Sequence, residues 1–186
     1  SRPPGEAYVD LSTRWMGLEL AHPIVPGASP LALDLDNARL LEDSGAAAIV
    51  LPSLFEEAIR EEMTGGQPAV HGRFEAHGSR APHCQSCYEE RLGPDEYLEQ
   101  ISRTKAALGI PVVASITGMT PGGWLWAGAL MEQAGADALE LNVYELAADP
   151  EESGGDVEAR VIETVAALKA RVHIPVAVKL SPYYSS

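Results

Sequence analysis

Five short apolar runs constrain this chain most, because they are nearly continuous in apolar character rather than alternating. They span residues 23–27, 47–51, 110–115, 138–142 and 174–179, and Val and Ile are frequent in them. A strand with one face in water alternates apolar and polar side chains. A continuous run fits a strand buried on both faces, as in a parallel sheet covered by helices.

Helical patterns separate the runs. Asp36 can cap a helix that Gly45 stops, and Pro94 suits the first turn of the next, with Leu98, Ile101, Lys105 and Leu108 on one face. Ala127, Leu130, Met131 and Ala134 make a third apolar stripe that ends at Gly135. Asp156 can cap a fourth, striped by Val157, Val161, Val165 and Leu168.

Two phrases recur. Ser44-Gly45-Ala46-Ala47-Ala48-Ile49 resembles Ala134-Gly135-Ala136-Asp137-Ala138-Leu139, and Gly109-Ile110-Pro111-Val112 resembles His173-Ile174-Pro175-Val176. Each reads as a junction into a strand. Repeated strand–helix units predict an α/β fold, either a TIM (β/α)8 barrel or an open doubly wound sheet. The first run is followed by Gly27-Ala28-Ser29-Pro30, with no glycine-rich dinucleotide fingerprint, which favours the barrel.

A complete barrel takes eight units and about 250 residues. This chain of 186 residues holds about five, so residues 1–186 read as the N-terminal portion of one barrel domain. Its sheet would be left open, to be completed by more chain or by association, self-association included. Tyr8 to Thr13 and Gly17 to Leu20 predict a small hairpin ahead of the first strand, placed to plug the barrel bottom. Residues 60–93 break the pattern with Gly, His and polar residues, and read as a long loop over the substrate face.

Charge narrows the partners. With 27 acids against 13 bases the net charge is −14, which argues against nucleic acid or an anionic membrane surface. No apolar run is long enough to span a bilayer, and Ser1-Arg2-Pro3-Pro4-Gly5-Glu6 has no apolar signal core. Cys84 and Cys87 make no disulfide framework. The expectation is a soluble cytoplasmic protein acting on a small molecule.

In a barrel, ligands bind at the C-terminal ends of the strands. Lys179 ends an otherwise apolar run, and its cation suits an anionic or electron-rich ligand. Asn142 ends the run before it; its amide gives donors and an acceptor for a flat heterocycle, and Glu140 shares its face. Gly27-Ala28-Ser29 permits close backbone approach, and Ser53 follows the second run. His71, His77, His83, Cys84 and Cys87 invite a metal test. The Cys84–Cys87 spacing is half a zinc site with no matching second pair, so no metal is expected.

These residues resemble a family. Asp10-Leu11-Ser12-Thr13, Gly17-Leu18 and His22-Pro23-Ile24-Val25-Pro26-Gly27-Ala28-Ser29 look like the opening of the flavin-dependent dihydroorotate dehydrogenases. Leu139-Glu140-Leu141-Asn142 and Pro175-Val176-Ala177-Val178-Lys179-Leu180-Ser181-Pro182 resemble that family's fourth and fifth strands. The likeness runs from about Tyr8 to Ser186 outside the loop, and is strongest to the dihydroorotate dehydrogenase-like branch.

The resemblance implies an FMN-binding barrel that oxidises dihydroorotate to orotate in pyrimidine biosynthesis. It implies that Lys179 touches the electron-rich pyrimidine edge of the flavin and that Asn142 bridges flavin and substrate. Ala28 and Ser29 would lie against the isoalloxazine, with Ser53 approaching from the second strand. The chain also departs from the family. Pro52 stands where the family has a lysine, and Asn142 is followed by Val143-Tyr144-Glu145 where the family has a Ser or Cys base. Tyr144 and Glu145 are therefore the candidate catalytic bases. Two other readings stay open: a flavin oxidoreductase with a different substrate, and a non-catalytic binding partner that keeps the scaffold.

Overall fold

The computed structural model describes residues 9–55, 92–117, 121–143 and 151–181. The described chain is mixed α/β. It opens with a hairpin, β1 (Thr13–Trp15) and β2 (Leu18–Leu20), and a 3-10 turn at Pro30–Ala32. Then follow α1 (Leu35–Asp43), β3 (Ile49–Phe55), α2 (Pro94–Ala107), β4 (Val112–Thr117), α3 (Pro121–Gln133), β5 (Ala138–Val143), α4 (Gly154–Lys169) and β6 (Val176–Leu180). The four later strands form one parallel sheet in the order β3-β4-β5-β6.

The expected first strand at residues 23–27 is not a strand of this sheet, so the described sheet has four strands rather than five. Its Ile24 carbonyl accepts one bond from the Ala47 N–H at 3.1 Å. Pro23 and Pro26 have no N–H to donate, so a continuous ladder cannot form there. The hairpin is present, but its first strand starts at Thr13, where the expected one ended. Residues 56–91, which hold nearly all of the expected loop, lie outside the described residues.

The helix caps also differ from expectation. Asp34 caps α1, its Oδ1 accepting from the Asn37 N–H at 2.8 Å, while Asp36 lies inside the first turn. Ser153 caps α4, and Asp156 is the third residue of a reciprocal box that returns a bond to the Ser153 N–H at 3.0 Å. In α2 the buried stripe is Pro94, Tyr97, Gln100, Ile101 and Thr104. Lys105 instead turns toward the next unit and pairs with Asp137 at 2.7 Å.

Both repeated phrases are repeated structure. Gly45 and Gly135 close α1 and α3 with φ of 97° and 101°, a conformation open to glycine without Cβ strain. Ala46 N–H then bonds back to the Leu41 carbonyl, and Ala136 N–H to that of Met131. Glu42, near the end of α1, accepts from the Gly109 N–H at 2.8 Å; Glu132, near the end of α3, accepts from the His173 N–H at 3.1 Å. The Pro111 and Pro175 carbonyls each accept at 2.9 Å from the neighbouring strand, at Ile49 and Leu139. One junction is thus built twice, two strands apart.

One face of the sheet carries Ile49, Leu51, Leu54, Val112, Ala114, Ile116, Leu139, Leu141 and Val143, and the helices cover it through Ala38, Tyr97, Ile101, Ala127, Met131 and Leu168. The hairpin lies on the other face. Trp15, Met16, Leu18, Val25 and Ala28 pack there on Val50, Val113 and Ala138, at the N-terminal ends of the strands.

Candidate functional site

Beyond those three apolar residues, the hairpin-side face turns polar toward the strand C-termini. A register shift between Val50 and Ser53 makes this possible. Val50 pairs with Val113 and Ser53 with Ser115, so β3 spends one more residue than β4 over that stretch. Strict alternation from Val50 would send Ser53 to the helix side. The extra residue returns it to the hairpin side, and Pro52 lies within this bulge.

Two polar rows result. Ser53, Ser115 and Glu140 are register neighbours across β3, β4 and β5. Thr117, Asn142 and Lys179 are register neighbours across β4, β5 and β6, one row nearer the strand ends.

The inner row is a continuous hydrogen-bonded chain. Ser53 Oγ lies 2.7 Å from Ser115 Oγ, and Ser115 Oγ donates to Glu140 Oε1 at 3.0 Å. Because that bond uses the Ser115 hydroxyl proton, Ser53 is the donor in the first link and keeps its lone pairs for another group. Lys179 Nζ reaches back one row and donates to the same Glu140 Oε1 at 2.9 Å. Ser115 is fully buried, the Glu140 side chain is 12% exposed and that of Lys179 is 49% exposed.

Tyr97 supports this row from the helix side. Its hydroxyl accepts from the Ser115 N–H at 2.9 Å and donates to the Ser115 carbonyl at 3.0 Å. Burial pushes the phenol well above its usual range; the bond to the Ser115 backbone opposes this and the Glu140 charge adds to it. In the outer row, Thr117 Oγ1 is buried and has no hydrogen-bond partner among the described residues.

The structure therefore brings Ser53, Asn142 and Lys179 onto one face. Ala28 joins them, packed on the adjacent apolar row, and Ser29 follows it as the extended residue before the 3-10 turn. Tyr144, Glu145, Cys84, Cys87, His71, His77 and His83 lie outside the described residues. Among the described residues no group of three or more His, Cys, Asp or Glu side chains is placed to hold a metal ion. Among them, too, no helix is long and apolar enough to cross a membrane. A cavity of about 360 Å³ lined by Trp15, Leu20, Pro23 and Val25 lies at the hairpin, among the residues that pack near the start of β3, away from Lys179.

Ser115, Thr117 and Tyr97 were not among the expected site residues. Period-two spacing links Ser115 to Thr117 as it links Glu140 to Asn142, and that signal was available. The Tyr97 hydroxyl carried none, since it enters from the helix side.

Comparison with known proteins finds relatives in sequence and in fold. The chain is 30% identical over 182 residues to an Aeropyrum pernix protein provisionally named dihydroorotate dehydrogenase A (fumarate), covering 92% of this chain and 53% of that one. The sequence is thus similar to a protein bearing that name along most of its own length. A second relative, the catalytic subunit of the NAD(+)-type dihydroorotate dehydrogenase B of Thermoplasma acidophilum, is 28% identical, covering 95% of this chain and 56% of its own. The chain thus spans about half the length of the curated relatives it matches. No protein-family model matches it. By fold it is similar to the dihydrodipicolinate synthase of Agrobacterium tumefaciens, at TM-score 0.50 and 16% identity, covering 88% of this chain and 44% of that one. The Bacillus anthracis dihydrodipicolinate synthase gives TM-score 0.50 at 14% identity, covering 83% and 44%. These neighbours are TIM-barrel enzymes, a likeness of fold alone.

Proposed function

We propose that the chain is the N-terminal portion of an FMN-binding TIM barrel, a cytoplasmic oxidoreductase of the dihydroorotate dehydrogenase type that converts dihydroorotate to orotate in pyrimidine biosynthesis. The observation that carries this reading is the register pairing of Asn142 with Lys179 at the ends of β5 and β6, on the face shared by Ser53 and Ala28. The donor set fits the group. A flavin's pyrimidine edge carries carbonyl oxygens and ring nitrogens, and the residues of the outer row offer it an amide, an ammonium and the Thr117 hydroxyl, which has no partner among the described residues.

FMN, when bound, supplies the hydride acceptor. The residues of the chain bind and orient around it. Lys179 offers its ammonium to the electron-rich edge and stabilises negative charge there. Asn142 would bridge flavin and substrate through its amide donors and acceptor. Ser53, whose proton is committed to Ser115, presents an acceptor. Tyr144 or Glu145 takes the proton from the substrate carbon next to the one that loses hydride. Ala28 and Ser29 give a flat approach for the ring system. The partner is a small molecule.

A second reading keeps the flavin and changes the substrate. Pro52, inside the β3 bulge, cannot supply the ammonium that the family places there. The visible absorption spectrum of the protein from its native source is the test. A flavin spectrum bleached by dihydroorotate supports the first reading. A flavin that dihydroorotate leaves oxidised supports the second. A colourless folded protein refutes both.

A further inference from the structure

We propose that Glu140 is a positioning residue for Lys179, fixed in place by the hydroxyl chain Ser53–Ser115 that crosses β3 and β4. The inference builds on the reading of Lys179 as a ligand-facing cation. It assigns work to a carboxylate that this reading leaves without a role.

The two partners are unequal. Glu140 is the sheltered one, with a second donor in the fully buried Ser115, whose own backbone is held by Tyr97. Lys179 lies on β6, which has a paired neighbour on one side only among the described strands, and half of its side chain is exposed. The fixed group therefore sets the place of the movable one. By register Lys179 stands beside Asn142, yet its ammonium is drawn back a row to Glu140. An exposed lysine left to itself samples many rotamers. Glu140 restricts it to positions just beneath the Asn142 amide, so the pair meets a flat ligand from one level. A sheltered carboxylate adds little net stability compared with an apolar side chain of similar volume. Its presence in this row is explained by orienting the cation.

The test compares full-length wild-type protein with Glu140→Gln and Ser115→Ala, stripped of cofactor. The readout is the rate at which an amine-acylating reagent modifies Lys179, followed by mass spectrometry, with Lys169 and Lys105 as internal references. An amine held in an ion pair is shielded from acylation. Glu140→Gln is expected to raise the Lys179 rate several-fold and leave the Lys169 and Lys105 rates unchanged. Ser115→Ala, which keeps both charges and removes the anchor, is expected to raise it by less. An unchanged Lys179 rate in Glu140→Gln overturns the proposal. If that variant does not fold, the Ser115→Ala rate decides in the same way. FMN titration of the same proteins separates this inference from the reading beneath it. If the wild type takes up no FMN, the flavin reading fails and the acylation rates still decide the positioning role. If the wild type binds FMN and Glu140→Gln changes neither the affinity nor the Lys179 rate, the positioning role fails and the flavin reading stands.

Discussion

Tyr97 and Ser115 are joined twice through one phenolic oxygen, which accepts from the Ser115 N–H at 2.9 Å and donates to the Ser115 carbonyl at 3.0 Å. The contact sits at the β3 bulge, where Pro52 has no N–H to give and the ladder between β3 and β4 changes register. A side chain from α2 thus serves backbone groups of a central strand, and all three atoms are sheltered from water. The bulge turns Ser53 toward the polar row, and Tyr97 satisfies the strand beside it.

Tyr97→Phe keeps the ring and removes the hydroxyl. The Ser115 N–H and carbonyl then lose a buried partner, at an expected cost of roughly 2–4 kcal/mol. Urea unfolding gives the number. The pH dependence gives the sign. The folded phenol is raised above its unfolded value, so its stabilising contribution is full below about pH 10 and falls as pH rises toward the folded value. The wild-type urea midpoint should therefore drop between about pH 8 and about pH 10.5 by more than that of Tyr97→Phe. Equal drops would show that Tyr97 ionises as readily folded as unfolded.

Much of the fold was legible because its signals are local. The continuous apolar runs marked β3 to β6, and the repeated Gly-Ala phrases marked two equivalent helix ends. Residues 23–27 misled for a reason visible in the sequence: apolar character argued for a strand, while Pro23 and Pro26 argued against a ladder, and the prolines prevail. The caps slipped from Asp34 to Asp36 and from Ser153 to Asp156 because each acid stands within three residues of the true cap. Asn142 and Lys179 carry a sequence signal in their places at the ends of apolar runs, and the register sets them side by side. Ser115 shares its strand face with Thr117 by simple alternation, but its bond to Ser53 depends on the β3 bulge, and the Tyr97 hydroxyl arrives by a cross-layer contact that no spacing rule encodes.

The duplicated junction makes a paired prediction. Gly45→Ala and Gly135→Ala each place a Cβ at positive φ, with open space at Gly45 and only an ordinary contact with the Lys105 stem at Gly135. Each should cost about 1–2 kcal/mol from backbone strain alone. Thermal or urea unfolding should return similar values for both. A cost at one site several times that at the other would mean that the two junctions are not equivalent.

Gly128, inside α3, is a different case. A Cβ there would lie 2.6 Å from Leu168 Cδ1, 3.4 Å from Leu139 Cδ1 and 3.5 Å from Val172 Cγ1. Alanine gains about 1 kcal/mol of helix propensity over glycine. Overpacking typically costs about 1–3 kcal/mol, and Leu168 and Leu139 are both fully buried with little room to turn aside. Net destabilisation of about 1 kcal/mol is expected from Gly128→Ala in denaturant unfolding. A stabilised variant would show that α3 and α4 separate freely.

The direction of the hydroxyl chain yields the last prediction. Ser115 donates to a carboxylate, whereas Ser53 donates to a neutral hydroxyl. Bonds to charged groups contribute about 1.5–3 kcal/mol and neutral ones about 0.5–1.5. Ser115→Ala should therefore destabilise the protein more than Ser53→Ala. It also leaves Glu140 with Lys179 as its remaining donor among the described residues. The double variant should cost little more than Ser115→Ala alone, since Ser53 has lost its acceptor already. Urea midpoints of the three variants measure this coupling. Additive costs would mean that the two hydroxyls act separately, and that Ser53 does not support Glu140 through Ser115.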